Sequence, residues 1–281
     1  MVTQLGYLGN TPTAESIING TYTCPAALSP YAQKLIKAMQ VPPDVQVPQS
    51  TAYVSTDDHT SAWKRQKERT TGGKSGIHFG MFKAQAQDPT LAAFDASRRS
   101  IMYRCGETLD RWKIGVDSML LKASKDRRAH KMRNVKLIEA DCNINYKKIG
   151  REGMQNAEQA GLLSPENGGG RRHYRAQEIS LNNTLVSDDS RFKRKAMAII
   201  SNDAKGCFDR VVHNVAYICL RRFGIPGAPL VSMLKNIQQM DHYIRTAFGD
   251  SEDCYNSSGY PHPNQGFLRE WGLQHWMGCC C

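Results

Sequence analysis

Residues 198–210 read AIISNDAKGCFDR. Ala198 to Ser201 carry two Ile and fit the end of a buried strand, and Asp203 stands where that strand gives way to a turn. A carboxylate at a strand end can offer its oxygens, with the neighbouring carbonyl, to a hard cation such as Mg2+, which prefers oxygen ligands and keeps waters for phosphates. Phe208 and Asp209 follow. The competing reading is a strand-to-helix turn in which the Asp caps a helix.

Working outward, the composition fits a partner of polyanions. Lys and Arg number 37 against 26 Asp and Glu, a net charge of +11 and a pI near 9.2. With 281 residues, 40% of them hydrophobic, the chain can fill one sizeable core. No apolar run approaches the roughly 20 residues that cross a bilayer. The start, MVTQLGYLGN, has neither a basic nor a long apolar stretch, so an intracellular protein without membrane contact is expected. The nine Cys show no zinc-ligand spacing and read as reduced, partly buried small residues.

Residues 1–59, rich in Thr, Pro, Ser and Gln, read as a poorly structured leader with one short helical pattern at Ser29 to Met39. A basic helix, SAWKRQKER, then meets TTGGKSG. The phosphate-loop reading of Gly-Gly-Lys-Ser fails, because its first Gly would have to stand at Glu68 and no strand leads in. LAAFDASRRSIMYRC and DRWKIGVDSMLLK both recur at helical steps, with Trp112 and Met119 expected in the core. A basic turn runs into the strand-like VKLIEA, as in a solvated hairpin, and residues 143–163 read as a helix. A triple-Gly turn and a further helix lead to RFKRK at 191–195. Beyond the opening stretch come two helices, VVHNVAYICLRRF and APLVSMLKNIQQM, then an alternating strand, HYIRTAF.

Four segments then stand in the order used by reverse transcriptases. KMRNVKLIEADCN resembles the fingers hairpin that grips the triphosphate, which implies that role for Lys131 and Arg133. PENGGGRRHYRAQEISLNN resembles the next motif, implying template or primer contacts for Gly169, Arg171 and Arg172. SNDAKGCFDR resembles motif A and PNQGF resembles motif B, where Gln265 and Gly266 would pack against the incoming nucleotide. The upstream KSGIHFGMFKA is similar to reverse transcriptases of non-LTR retroelements, and the resemblance covers roughly residues 60–268.

The resemblance implies an α+β right-hand polymerase: fingers over 60–195 and a partial palm over 196–281, with motif C and the thumb missing. It implies an RNA template, a DNA primer and deoxynucleoside triphosphates as partners. Asp203 would be catalytic residue and Mg2+ ligand in a two-metal reaction, and Phe208 would exclude a 2'-hydroxyl. A working palm needs a second carboxylate site, an aromatic-x-Asp-Asp after motif B, and the sequence has none. Asp57-Asp58 and Asp188-Asp189 precede motif A in polar sequence and read as turn or capping residues. Little or no primer extension is therefore expected, and a non-catalytic basic nucleic-acid-binding protein is the alternative. The tail, FLREWGLQHWMGCCC, leaves the family pattern abruptly after Gly266. We read it as a frameshift, a hypothesis that loses its support if downstream DNA encodes no motif C in any frame.

Overall fold

The computed structural model describes residues 7–70, 72–122, 128, 131–164, 171, 174, 176–198 and 211–257. Six short helices have both ends among the described residues ahead of the first strand: α1 (Pro12–Ile18), α2 (Pro30–Ala38), α3 (Thr56–Lys64), α4 (Phe79–Gln85), α5 (Pro89–Arg99) and α6 (Ile101–Cys105). Their starts follow local chemistry. Thr11, Ser29 and Asp88 each accept a hydrogen bond from a first-turn amide ahead of a Pro, and Ser55 and Asp58 form a reciprocal capping box on α3.

Strand β1 (Ile114–Leu120) follows a single 3-10 turn, and β2 (Arg133–Leu137) returns beside it. Next come α7 (Ala140–Gln159), α8 (Ala176–Phe192), α9 (His213–Arg222), α10 (Gly227–Gln238), β3 (Asp241–Thr246) and β4 (Gly249–Asp250). The sheet order is β2-β1-β3-β4. β1 is antiparallel to β2, with Leu120 opposite Arg133, and parallel to β3, with Ile114 opposite Asp241. The architecture is α+β.

DRWKIGVDSMLLK is thus a 3-10 turn and a strand, where helical periodicity predicted a helix. The strand wins because β1 gains a hydrogen-bonded neighbour on each side and buries Val116 completely. Trp112 is in the core as expected, while Met119 is only partly buried. The strand in VKLIEA and the helices flanking Gly224 form where the sequence places them. Asp58 caps α3, but Asp188 and Asp189 lie on the last turns of α8, paired with Arg191 and Lys193, rather than in a loop.

The stretch read as a poorly structured leader is ordered from residue 7 onward. Leu8, Ile17, Ile18, Met39 and Val54 enter the main core with Tyr146, Leu230 and Met233, each such side chain contributing about 1.5–3 kcal/mol of burial. Glu15 accepts both nitrogens of the Arg221 fork at 3.1 Å. Ser50 donates its N–H to the Gly224 carbonyl at 2.9 Å. Gly224 itself has φ +77°, and a Cβ there would lie 2.0 Å from the Pro48 carbonyl oxygen. The expected fingers and palm portions also share one sheet, since β3 pairs with β1 across that division.

Candidate functional site

Of the residues singled out from the sequence, Asp203, Phe208, Gln265, Gly266, Gly169 and Arg172 lie outside the described residues. Asp203, the Mg2+ ligand implied by the resemblance, is therefore not placed. Among the described residues no group of three or more His, Cys, Asp or Glu is arranged to hold a metal. No helix among them is long and apolar enough to cross a membrane.

Lys131 and Arg133 come together on the β1–β2 hairpin. Lys131 donates its backbone N–H to the Arg128 carbonyl at 2.8 Å, Arg133 opens β2, and both residues are exposed. Arg171 is used differently. Its guanidinium donates to both Glu158 oxygens at 2.8 and 2.6 Å and to the Ser164 carbonyl at 3.0 Å, and it stacks 4.3 Å over Tyr174. The paired guanidinium holds the Glu158 carboxyl below its usual range. Arg171 thus ties the end of α7 to the chain that follows it, with only 9% of its side chain exposed.

Alternation along the strands divides the sheet residues between two faces. Asp117, Lys136 and His242 share one face. Asp117 is almost fully buried, with Lys136 Nζ at 3.3 Å, His242 Nδ1 at 3.5 Å and a short bond from the Tyr255 hydroxyl. Burial alone would raise its pKa, but the bond from His242, the Lys136 charge and the Tyr255 hydroxyl together bring it to about 2. This cluster locks three strands and the following loop together.

The other face carries Arg133, Val135, Tyr243 and Arg245. Over it lies the loop that links α3 to α4, fixed at three points. Trp63 at the end of α3 meets Phe79 edge-on at 5.8 Å and stacks on Phe82 at 4.8 Å, which sets both ends. The middle is held by Glu139, buried ahead of α7. Its carboxylate accepts from the Ser75 N–H at 3.1 Å, the Ser75 hydroxyl at 2.6 Å and Arg111 at 3.0 Å. The paired glycines follow from this close packing: a Cβ on Gly73 would lie 2.4 Å from Glu139 Oε1, and one on Gly72 would lie 2.6 Å from the Ile77 carbonyl.

The loop and Arg245 border an open groove of about 510 Å³, with Arg69, Lys74 and His78 on its lining. The acids nearby are already neutralised. Glu68 pairs with Lys83 at 3.1 Å, and Asp250 accepts a two-point bond from Arg245 at 2.6 and 3.0 Å. Arg69 and Lys74 make no ion pair among the described residues. Lys74 Nζ instead sits 3.2 Å over the centre of the Tyr243 ring, a contact worth about 0.5–1 kcal/mol at an exposed site. Charge-assisted bonds to phosphate oxygens are stronger than neutral ones and compete readily with such a contact.

Sequence reasoning missed Tyr243 and Arg245, which read only as part of an alternating strand. GGKSG stands out in the sequence but does not fit the phosphate-loop pattern, and the element before the loop is a helix. No protein-family model matches the chain, and a search of curated proteins returns no match.

Proposed function

We propose that the chain is the fingers and part of the palm of a reverse transcriptase. It grips RNA and the triphosphate of an incoming deoxynucleotide on the basic face of its sheet, takes Mg2+ at Asp203, and extends primers little or not at all. The observation that carries this is the β1–β2 hairpin, which presents Lys131 and Arg133 in the open, with Arg133 on the same face as Arg245. Neither cation makes an ion pair among the described residues, so phosphate oxygens meet them without displacing a described carboxylate, and each one engaged releases counterions. The order of the four sequence motifs supplies the polymerase reading. The want of a second carboxylate site supplies the inactivity, because a two-metal clamp must hold both the attacking and the leaving oxygen.

The test is a titration of labelled RNA at stepped salt, run beside Mg2+-dependent extension of a primed template. The full chain is expected to bind RNA with a log–log salt dependence that becomes shallower by about 2 in the Lys131→Ala, Arg133→Ala double variant. Extension is expected at background. RNA binding that is absent, or indifferent to that double variant, would sink the proposal. The groove beside Arg69 and Lys74 also favours a second reading, a nucleic-acid-binding protein without a nucleotide site. Photocrosslinking of a deoxynucleoside triphosphate analogue to the hairpin separates the two.

A further inference from the structure

We propose that the groove under the glycine-rich loop binds single-stranded nucleic acid, with Tyr243 as a platform for a base and Lys74 and Arg69 on the flanking phosphates. This deepens the function proposed above and rests on it only for the class of ligand.

The lining favours a strand over a small molecule. Enclosed small-molecule sites are mostly apolar with a few polar anchors, whereas this groove is open, charged and bordered by backbone at Gly72 and Gly73. Single-strand sites combine a positive track for the backbone with an aromatic ring on which any base can stack. Here the ring is Tyr243, half-buried on β3 behind Lys74 and not itself on the groove's lining, with Arg245, which does line it, two positions along the same face. The Lys74 ammonium lies over its centre. Moving that ammonium to a phosphate uncovers the ring, so one side-chain rotation supplies both the cation and the platform. The loop backbone need not move, since Glu139, Trp63 and Phe79 hold it in place. A duplex keeps its bases stacked on one another and gains only the cations.

The experiment measures binding of the full chain to a labelled single-stranded RNA of about 12 nucleotides, near the site size of such grooves, and to a duplex of the same length. Tyr243→Ala is expected to weaken single-strand binding by roughly tenfold or more and leave duplex binding unchanged, while Tyr243→Phe binds as the parent. Lys74→Gln, at an exposed position, is expected to make the salt dependence shallower by about 1. Because Tyr243→Ala could unfold the sheet, 5-iodouridine RNA is also crosslinked to the unaltered chain and is expected to label Tyr243.

Equal loss of single-strand and duplex binding in folded Tyr243→Ala would overturn the platform. So would crosslinks confined to the Lys131–Arg133 hairpin, which would leave the proposed function standing. Displacement of the RNA by a deoxynucleoside triphosphate at micromolar concentration would assign the groove to a nucleotide and overturn the strand. No RNA binding by the unaltered chain at low salt would remove both proposals.

Discussion

His59 is fully buried on α3, its Nδ1 3.0 Å from Arg99. A guanidinium only donates, so Nδ1 accepts and the ring proton sits on Nε2, facing Asp95 Oδ2 at 3.8 Å. Burial first, and then the charges of Arg99 and Arg98, bring the imidazole from 6.5 to about 3. The unfolded chain therefore takes up a proton below pH 6.5 that the folded chain refuses. His59 makes stability fall by about 1.4 kcal/mol per pH unit from there toward 3. Asp95, raised by burial, acts in the opposite sense from 3.8 upward. Thermal unfolding followed downward from pH 6.5 is expected to show a falling midpoint and a flatter profile in His59→Gln. A flat profile in the parent would rule out a neutral buried ring. None of this was legible in HTSAWKRQKER, which reads as a basic helix, because the partner that sets the ring's state lies 40 positions away. The glycine-rich loop has the same history. Its glycines stand out in the sequence, but Glu139, the carboxylate that leaves no room for a side chain at Gly73, is 64 residues from Ser75.

At the scale of elements, local chemistry was the legible part. The helical pattern from Ser29, the strand in VKLIEA and the two helices about Gly224 all follow from neighbours within a turn or two. DRWKIGVDSMLLK misled because its apolar residues satisfy a helical step as well as a strand, and only the pairing of β1 with β2 and β3 decides between them. The N-terminal stretch misled for a related reason. Its Thr, Pro and Ser content looks like a loose leader, yet a few apolar residues suffice when the rest of the chain offers a surface to cover. Gly224 tests that strap. Gly224→Ala must bear both a positive φ and the Pro48 carbonyl at 2.0 Å. It is expected to cost about 1–3 kcal/mol, read as a lower denaturant midpoint. A midpoint within error of the parent would mean that residues 48–50 detach from the body at little cost.

For the whole molecule, the charge balance was readable from composition, but its placement was not. Lys131 and Arg133 announce themselves in a basic run. That Arg133, Tyr243 and Arg245 share a face depends on strand register, which joins segments far apart in the chain. Asp203, Phe208, Gln265 and Gly266 lie outside the described residues, so the roles proposed for them rest on the sequence motifs.

The parallel pairing of β1 with β3 also governs how the protein is made. Ile114 leaves the ribosome about 130 residues before its partner Asp241, a delay of roughly 10 s at ordinary synthesis rates. Until then the nascent β1–β2 hairpin has a bare edge that another chain can occupy. A chain ended at residue 195 would keep that edge for good. It is expected to elute from size exclusion as oligomers or to precipitate, and a soluble monomer of that length would show that the hairpin shields itself without β3.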